Sequence, residues 1–339
     1  MESKYYTGID ISAEFFTVSC LEVECKKITT FDNFENSAEG FRKFLKEINK
    51  ISKDKSKFII GMEATGVYGE KLAHFIYGNG YKLVIENPLK VKKSFGLSGK
   101  KSDAIDSRRI AEYLYRFNDE LKFWQPKHEN IEYIRVLLAQ REQLNKQKVA
   151  NINARKALQR KQYQIEESIQ IYSDMISVLE IKIKDIERKA AELIKDDPEL
   201  SQAISNITSI PGVGMIMSLY ILVITNGFTE NLDYKKIASY LGIVPLIYES
   251  GKSIRKRSSS SGIGPGELRK TLYLVSLSAR NNNKIMKEYF LRKVAEGKSK
   301  RLVLNNIGNK LLKLIIAIVK SGKTYSENFR SINPVFLKN

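Results

Sequence analysis

Apolar positions follow one period in the first third of the chain and another beyond it. Residues 5–11 form a β-rich run, residues 15–23 a second and residues 27–34 a third. Ser37 then stands as the N-cap of a helix to about Asn49, and residues 57–62 return to a short apolar strand pattern. Residues 67–77 read as a helix, and residues 81–85 as a strand closed by Asn87-Pro88. A further helix begins near Ser102 and carries Ile110, Ala111 and Leu114 on one face. Three successive strands followed by alternating helices and strands predict an α/β domain over residues 1–125, a mixed sheet covered by helices.

Residues 129–197 contain neither Gly nor Pro, which predicts long helices. Within them Ile169, Tyr172, Ile176, Leu179, Ile183, Ile186, Ala190 and Leu193 step alternately by three and four. That heptad seam is the signature of coiled-coil pairing, although a helix packing its stripe within its own domain shows the same spacing. Asp196-Asp197-Pro198 ends the run. The resulting division is a helical coiled-coil region over 126–198, a mainly α-helical C-terminal domain over 199–330 and a tail over 331–339.

Charge narrows the partners. Lys and Arg total 57 against 38 Asp and Glu, a formal +19, and a polyanion such as nucleic acid offsets that self-repulsion. No stretch of about 18 apolar residues is apparent, so no membrane span is expected; residues 311–319 are short and lie between lysines. The N-terminus shows no signal-peptide pattern, which points to the cytoplasm. Two Cys and two His make a zinc site improbable, and Cys20 and Cys25 are expected to be reduced thiols.

Four carboxylates carry the candidate chemistry. Asp10 ends an apolar strand, Glu63 follows another, and Asp103 and Asp106 lie three apart at a predicted helix start. Neighbouring strands could bring the first two together at one end of a sheet. Four such groups in one place repel unless a cation neutralises them, and two Mg²⁺ ions ~3.5–4 Å apart would suit phosphodiester chemistry. The Asp pair would also be favoured simply by a helix dipole. Lys100, Lys101, Arg108 and Arg109 flank that pair, as suits a passing phosphate backbone.

Three further segments have nucleic-acid readings. Ser209-Ile210-Pro211-Gly212-Val213-Gly214 sits between helical runs like the hairpin of a helix-hairpin-helix module, with Gly212 and Gly214 able to approach a phosphate. A plain helix connection is the alternative. The segment from Arg141 to Arg160 interleaves Lys146, Lys148, Arg155 and Lys156 with amides, a mixture suited to structured RNA or to a solvated helix face. Ser250, Lys252, Ser253, Arg255, Lys256, Arg257 and Ser258 to Ser261 make a polar segment that composition reads as a flexible loop. A serine among cations can instead attack a phosphodiester.

Gly8-Ile9-Asp10-Ile11-Ser12, Met62-Glu63-Ala64-Thr65-Gly66-Val67-Tyr68, Asn87-Pro88 and Lys101-Ser102-Asp103-Ala104-Ile105-Asp106-Ser107-Arg108 together resemble the DEDD insertion-sequence transposases. These are bridge-RNA-guided recombinases with a RuvC-like (RNase H-like) N-terminal domain. The resemblance implies that Asp10, Glu63, Asp103 and Asp106 bind Mg²⁺. Residues 242–251 and Leu268-Arg269-Lys270 resemble the C-terminal serine transposase domain of that family, which implies Ser250 as the nucleophile joined to DNA. Ser253 and Ser258 to Ser261 remain rivals on chemistry alone. The chain departs from the family at Ser261-Gly262-Ile263-Gly264, where a Ser-Lys-x-Gly stretch is common. The implied protein is a homo-oligomeric transposase using donor DNA, target DNA and a structured guide RNA. A metal-dependent junction-resolving endonuclease without a covalent intermediate is the alternative.

Overall fold

A computed structural model describes residues 4–64, 66–95, 102–163, 165–230, 232–246, 249–250, 254–255, 259–260 and 264–327, with only the backbone for Asp32 and within 245–260. The chain forms two compact units, Met1–Pro126 and Lys127–Asn339.

In the first unit, β1 (Tyr5–Ile11), β2 (Phe15–Glu22) and β3 (Lys27–Glu35) form an antiparallel meander. After α1 (Ala38–Ile51), β4 (Phe58–Glu63) lies parallel to β1; after α2 (Glu70–Gly78), β5 (Lys82–Glu86) lies parallel to β4. The sheet order is therefore β3-β2-β1-β4-β5. Two short helices were not both expected. The helix anticipated over 67–77 starts instead with a 3-10 turn, Gly66–Gly69, and α3 (Pro88–Ser94) forms where Asn87 caps Leu89 N–H and Pro88 occupies the first turn. α4 (Asp103–Arg116) begins at Ser102, whose hydroxyl accepts from Ile105 N–H.

Both sheet faces are covered. On one, Ile9, Phe16, Val18, Phe58, Ile60 and Met62 pack against Phe41, Phe44 and Ile48 of α1 and Leu72 and Ile76 of α2. On the other, Tyr6, Leu21, Ile59 and Val84 pack against Val91 of α3 and Ile110, Ala111, Tyr113 and Leu114 of α4. Strand alternation sends successive side chains to opposite cores, so neither face reads as polar.

The described residues of the second unit are mainly helical, with two short strand pairs. α5 (Glu129–Gln159) and α6 (Glu166–Lys195) form an antiparallel hairpin, with Arg141 against Glu187 at 2.6 Å, Lys148 against Glu180 at 3.7 Å and Arg155 against Ser173 at 3.2 Å. The heptad residues Ile176, Ile183 and Ala190 are thus buried, and α5 and α6 pair within one chain. The base of the hairpin merges with the helices C-terminal to it. Ile131, Ile134, Leu137 and Leu138 of α5 and Ala190 and Ile194 of α6 share a core with α7 (Pro198–Thr208) and α8 (Met215–Ile224).

Beyond α9 (Tyr234–Tyr240), β6 (Pro245–Leu246) pairs with β9 (Ser259–Ser260) around β7 (Glu249–Ser250) paired with β8 (Ile254–Arg255). Within the serine segment the described residues are these four two-residue strands; the rest of residues 247–263 lies outside the described residues. α10 (Gly266–Asn282), α11 (Lys284–Ala295) and α12 (Lys300–Ser321) complete the unit. α12 is long and apolar enough to cross a membrane by length and composition alone. Val303, Ile307, Leu311, Leu312 and Ile315 are nonetheless buried in the core of this unit.

Candidate active site

Gly8 and Gly61 are register partners on β1 and β4. A Cβ on Gly8 would overlap the Ser107 carbonyl and the Ala111 amide, and one on Gly61 would lie 2.6 Å from Leu114 Cδ1. The paired glycines form a shallow trough in which α4 rests. Because side chains alternate along a strand, the residues two further on point to the same face. They are Asp10 and Glu63, each one residue past the pair Ile9↔Met62.

α4 runs antiparallel to β1. Its Ser107 lies over Gly8, while Tyr115 meets Tyr6 edge-on at a ring separation of 5.5 Å. Retracing α4 from Ser107 to Asp103 covers ~6 Å along its axis. Gly8 to Asp10 covers ~6.6 Å along β1. The first turn of α4, with Asp103 and Asp106, therefore lies toward the end of β1 that carries Asp10. The partial positive charge of the helix start favours both aspartates.

Hydrogen bonds fix this arrangement. Ser107 and Ser19 meet hydroxyl to hydroxyl at 2.8 Å, and Ser19 continues to Thr30 at 3.0 Å. Asn36 donates to the carbonyls of Ser12 and Tyr68, each at 3.0 Å, tying the turn after Asp10 to the turn after Glu63. Phe15, Val67 and Tyr68 stand exposed beside these turns.

The four carboxylates differ in engagement. Asp10 and Glu63 are half-buried and each has partners, Asp103 is exposed, and Asp106 accepts from Arg109 at 3.2 Å. Among the described residues no three His, Cys, Asp or Glu side chains converge closely enough to hold a metal ion. The donor set itself is all oxygen, which suits a hard divalent cation. Arg108 donates to Thr30 at 3.0 Å, while Lys100 and Lys101 lie outside the described residues.

Sequence reasoning missed a fifth carboxylate. Glu86 is the register partner of Glu63 on β5. It accepts from Asn87 N–H at 2.9 Å, Lys90 at 3.0 Å and Tyr113 of α4 at 3.1 Å. Burial opposes its charged form, but those three donors outweigh burial and hold the carboxyl below its usual range. The signal was present, since Val84-Ile85-Glu86 repeats the strand-end pattern of Gly61-Met62-Glu63.

The remaining candidates are dispersed. Lys146 pairs with Glu142 at 2.6 Å, Lys148 and Arg155 face α6, and Lys156 is exposed. Gly212 has φ +93°, and a Cβ there would come within 2.5 Å of the Ala279 backbone, so its bareness serves contact with α10. Gly214 caps α8 with open space beside it. Ser250 pairs with Ile254 and Arg255 with Glu249 through their backbones. Lys252, Ser253, Lys256, Arg257, Ser258 and Ser261 lie outside the described residues.

Comparison with known proteins gives the family of the chain. A model described as a transposase of the DEDD, IS110 type matches residues 7–161, and one described as the transposase of the IS116/IS110/IS902 family matches residues 204–291. The chain is 30% identical over 331 residues to a pilin gene-inverting protein of Moraxella lacunata, covering 96% of this chain and 98% of that one. The corresponding protein of Moraxella bovis gives the same identity and coverage. An IS110 insertion-element protein of Streptomyces coelicolor is 27% identical over 119 residues, 35% of this chain and 29% of that one. The chain therefore belongs to the IS116/IS110/IS902 family of transposases, enzymes of DNA recombination.

Proposed function

We propose that this transposase cuts and rejoins DNA through a phosphoserine intermediate at Ser250, assisted by a divalent-metal site of Asp10, Glu63, Asp103 and Asp106. One observation carries the reading: Asp10 and Glu63 share the sheet face over which α4 delivers its first turn. The strand order supports a RuvC-like N-terminal domain. Mg²⁺, when bound, would neutralise the carboxylates and stabilise charge developing on the phosphate. Asp106 would have to exchange its Arg109 partner to join that set.

Ser250 Oγ would displace one oxygen of the phosphodiester. A serine–phosphate ester forms, one strand is released, and the serine proton ends on the freed hydroxyl. A hydroxyl of the second DNA then displaces Ser250, so the phosphodiester is restored without an external energy source. Lys252, Arg255, Lys256 and Arg257 supply cations in the same segment. Exposed Phe15 and Tyr68 offer rings to unpaired bases beside the carboxylates.

Guidance by a structured RNA is part of this proposal, supported by the mixed amides and cations of α5. So is homo-oligomer assembly through the helical hairpin, where Ile171, Met175, Val178 and Ile181 stay exposed on α6. The names of the Moraxella relatives suggest inversion of a DNA segment as one outcome of the same chemistry. The test is adduct trapping: Ser250→Ala should abolish a covalent protein–DNA species that Ser253→Ala retains. Cleavage that persists without any adduct would favour the junction-resolving endonuclease instead. Asp10→Asn with Glu63→Gln should lower cleavage at least a hundredfold while the chain stays folded, on the order expected for lost metal assistance.

A further inference from the structure

Where α12 meets α9 and α11, positive charge gathers around two tyrosine rings. Lys310 of α12 stands 4.6 Å from the ring centre of Tyr289 on α11, and Arg292 stands 5.9 Å from the same ring. One turn along α12, Lys313 stands 4.6 Å from the ring centre of Tyr234 on α9. Among the described residues, none of Arg292, Lys310 and Lys313 forms an ion pair with a carboxylate. Neighbouring Lys293, by contrast, is paired with Glu296 at 2.7 Å.

We infer that Arg292, Lys310 and Lys313, held by Tyr289 and Tyr234, form a phosphodiester-binding site for the backbone of a nucleic acid. The inference rests on the reading of the chain as a nucleic-acid enzyme and assigns one backbone contact to this unit. Three unpaired cations on converging helices oppose one another. Partial burial, and then the charges of Lys313, Arg292 and Lys293, hold the Lys310 ammonium below its ordinary value. An anion relieves both effects. The tyrosine faces fix each cation in place, so less side-chain freedom is lost when phosphate arrives. Lys310 and Lys313 are ~5–6 Å apart on the helix surface. That span fits neighbouring phosphates of a strand rising ~3.4 Å per nucleotide. Rings already covered by cations have less face to offer a base, so the site reads backbone and not sequence.

The test is equilibrium binding of the full chain, without added metal, to a duplex DNA of arbitrary sequence and to a single-stranded RNA. Affinity is followed from about 50 to 200 mM salt, where each phosphate contact contributes ~0.9 to the logarithmic slope for duplex and ~0.7 for a single strand. Lys310→Gln with Lys313→Gln should lower the slope by ~1.8 for duplex or ~1.4 for a single strand. A fall with DNA alone, RNA alone or both supports the site and names its source. An unchanged slope overturns it, as does an equal fall in the control Lys46→Gln with Lys53→Gln. Lys310→Arg with Lys313→Arg should keep the slope; loss there also overturns it, because charge would not be the cause. This readout needs no strand joining, so it stands or falls separately from Ser250 adduct trapping.

Discussion

The hydroxyl of Ser107 on α4 meets that of Ser19 on β2 at 2.8 Å, in a buried contact between residues 88 positions apart. The bond continues through Thr30, which accepts from Arg108 at 3.0 Å, so one polar thread joins two strands to the helix that carries Asp103 and Asp106. Ser107→Ala should cost about 1–2 kcal/mol, and the double variant with Ser19→Ala less than the sum of the two single changes. Urea denaturation of the four proteins checks the coupling; strict additivity would remove it.

Gly8→Ala and Gly61→Ala should differ although the two residues are register partners. The first puts a methyl against α4 backbone, the second against the flexible end of Leu114. Gly8→Ala should cost about 2–3 kcal/mol and Gly61→Ala about 1 kcal/mol or less. Denaturation midpoints in the reverse order would contradict the trough.

Glu86 should make stability depend on acidity. Its folded carboxyl titrates below the unfolded value, so its contribution is complete above the ordinary carboxylate range and is lost as pH falls from that range through the lower folded value. Glu86→Gln should flatten the fall in melting temperature between roughly pH 5 and pH 3. An unchanged profile would mean that Lys90 and Tyr113 do not hold the charge.

Ile183 and Ile181 separate the two roles of α6. Ile183 is 6% exposed in the hairpin seam, whereas Ile181 is 58% exposed. Ile183→Asp should destabilise the chain by about 3 kcal/mol or more. Ile181→Asp should alter unfolding of the single chain by no more than about 0.5 kcal/mol. If the exposed stripe joins copies, Ile181→Asp should also shift sedimentation toward monomer, the measurement that checks assembly.

The five strands were legible because apolar runs, Ser37 and Asn87-Pro88 mark their limits in the sequence. The break between Gln159 and Glu166 was not, since neither Gly nor Pro marks it. Heptad spacing announced a seam but could not name its partner, and much of that seam turns inward against α5. Gly212 looked like an approach to phosphate, yet its missing Cβ makes room for α10, a contact 67 residues away in sequence. Asp10 and Glu63 could be picked out as strand-end acids, and Glu86 carries the same strand-end pattern, but its engagement with Lys90 and Tyr113 is visible only in the fold. Ser250 came from family resemblance, because composition alone describes its segment as a loop.

The trough beneath α4 also bears on what becomes of such a gene when selection relaxes. On the proposed metal reading, one added methyl at position 8 would press on the helix that carries Asp103 and Asp106 while all four acids and every basic residue stayed in place. On that reading, the bare backbone two positions ahead of Asp10 and Glu63 belongs to the site as its support.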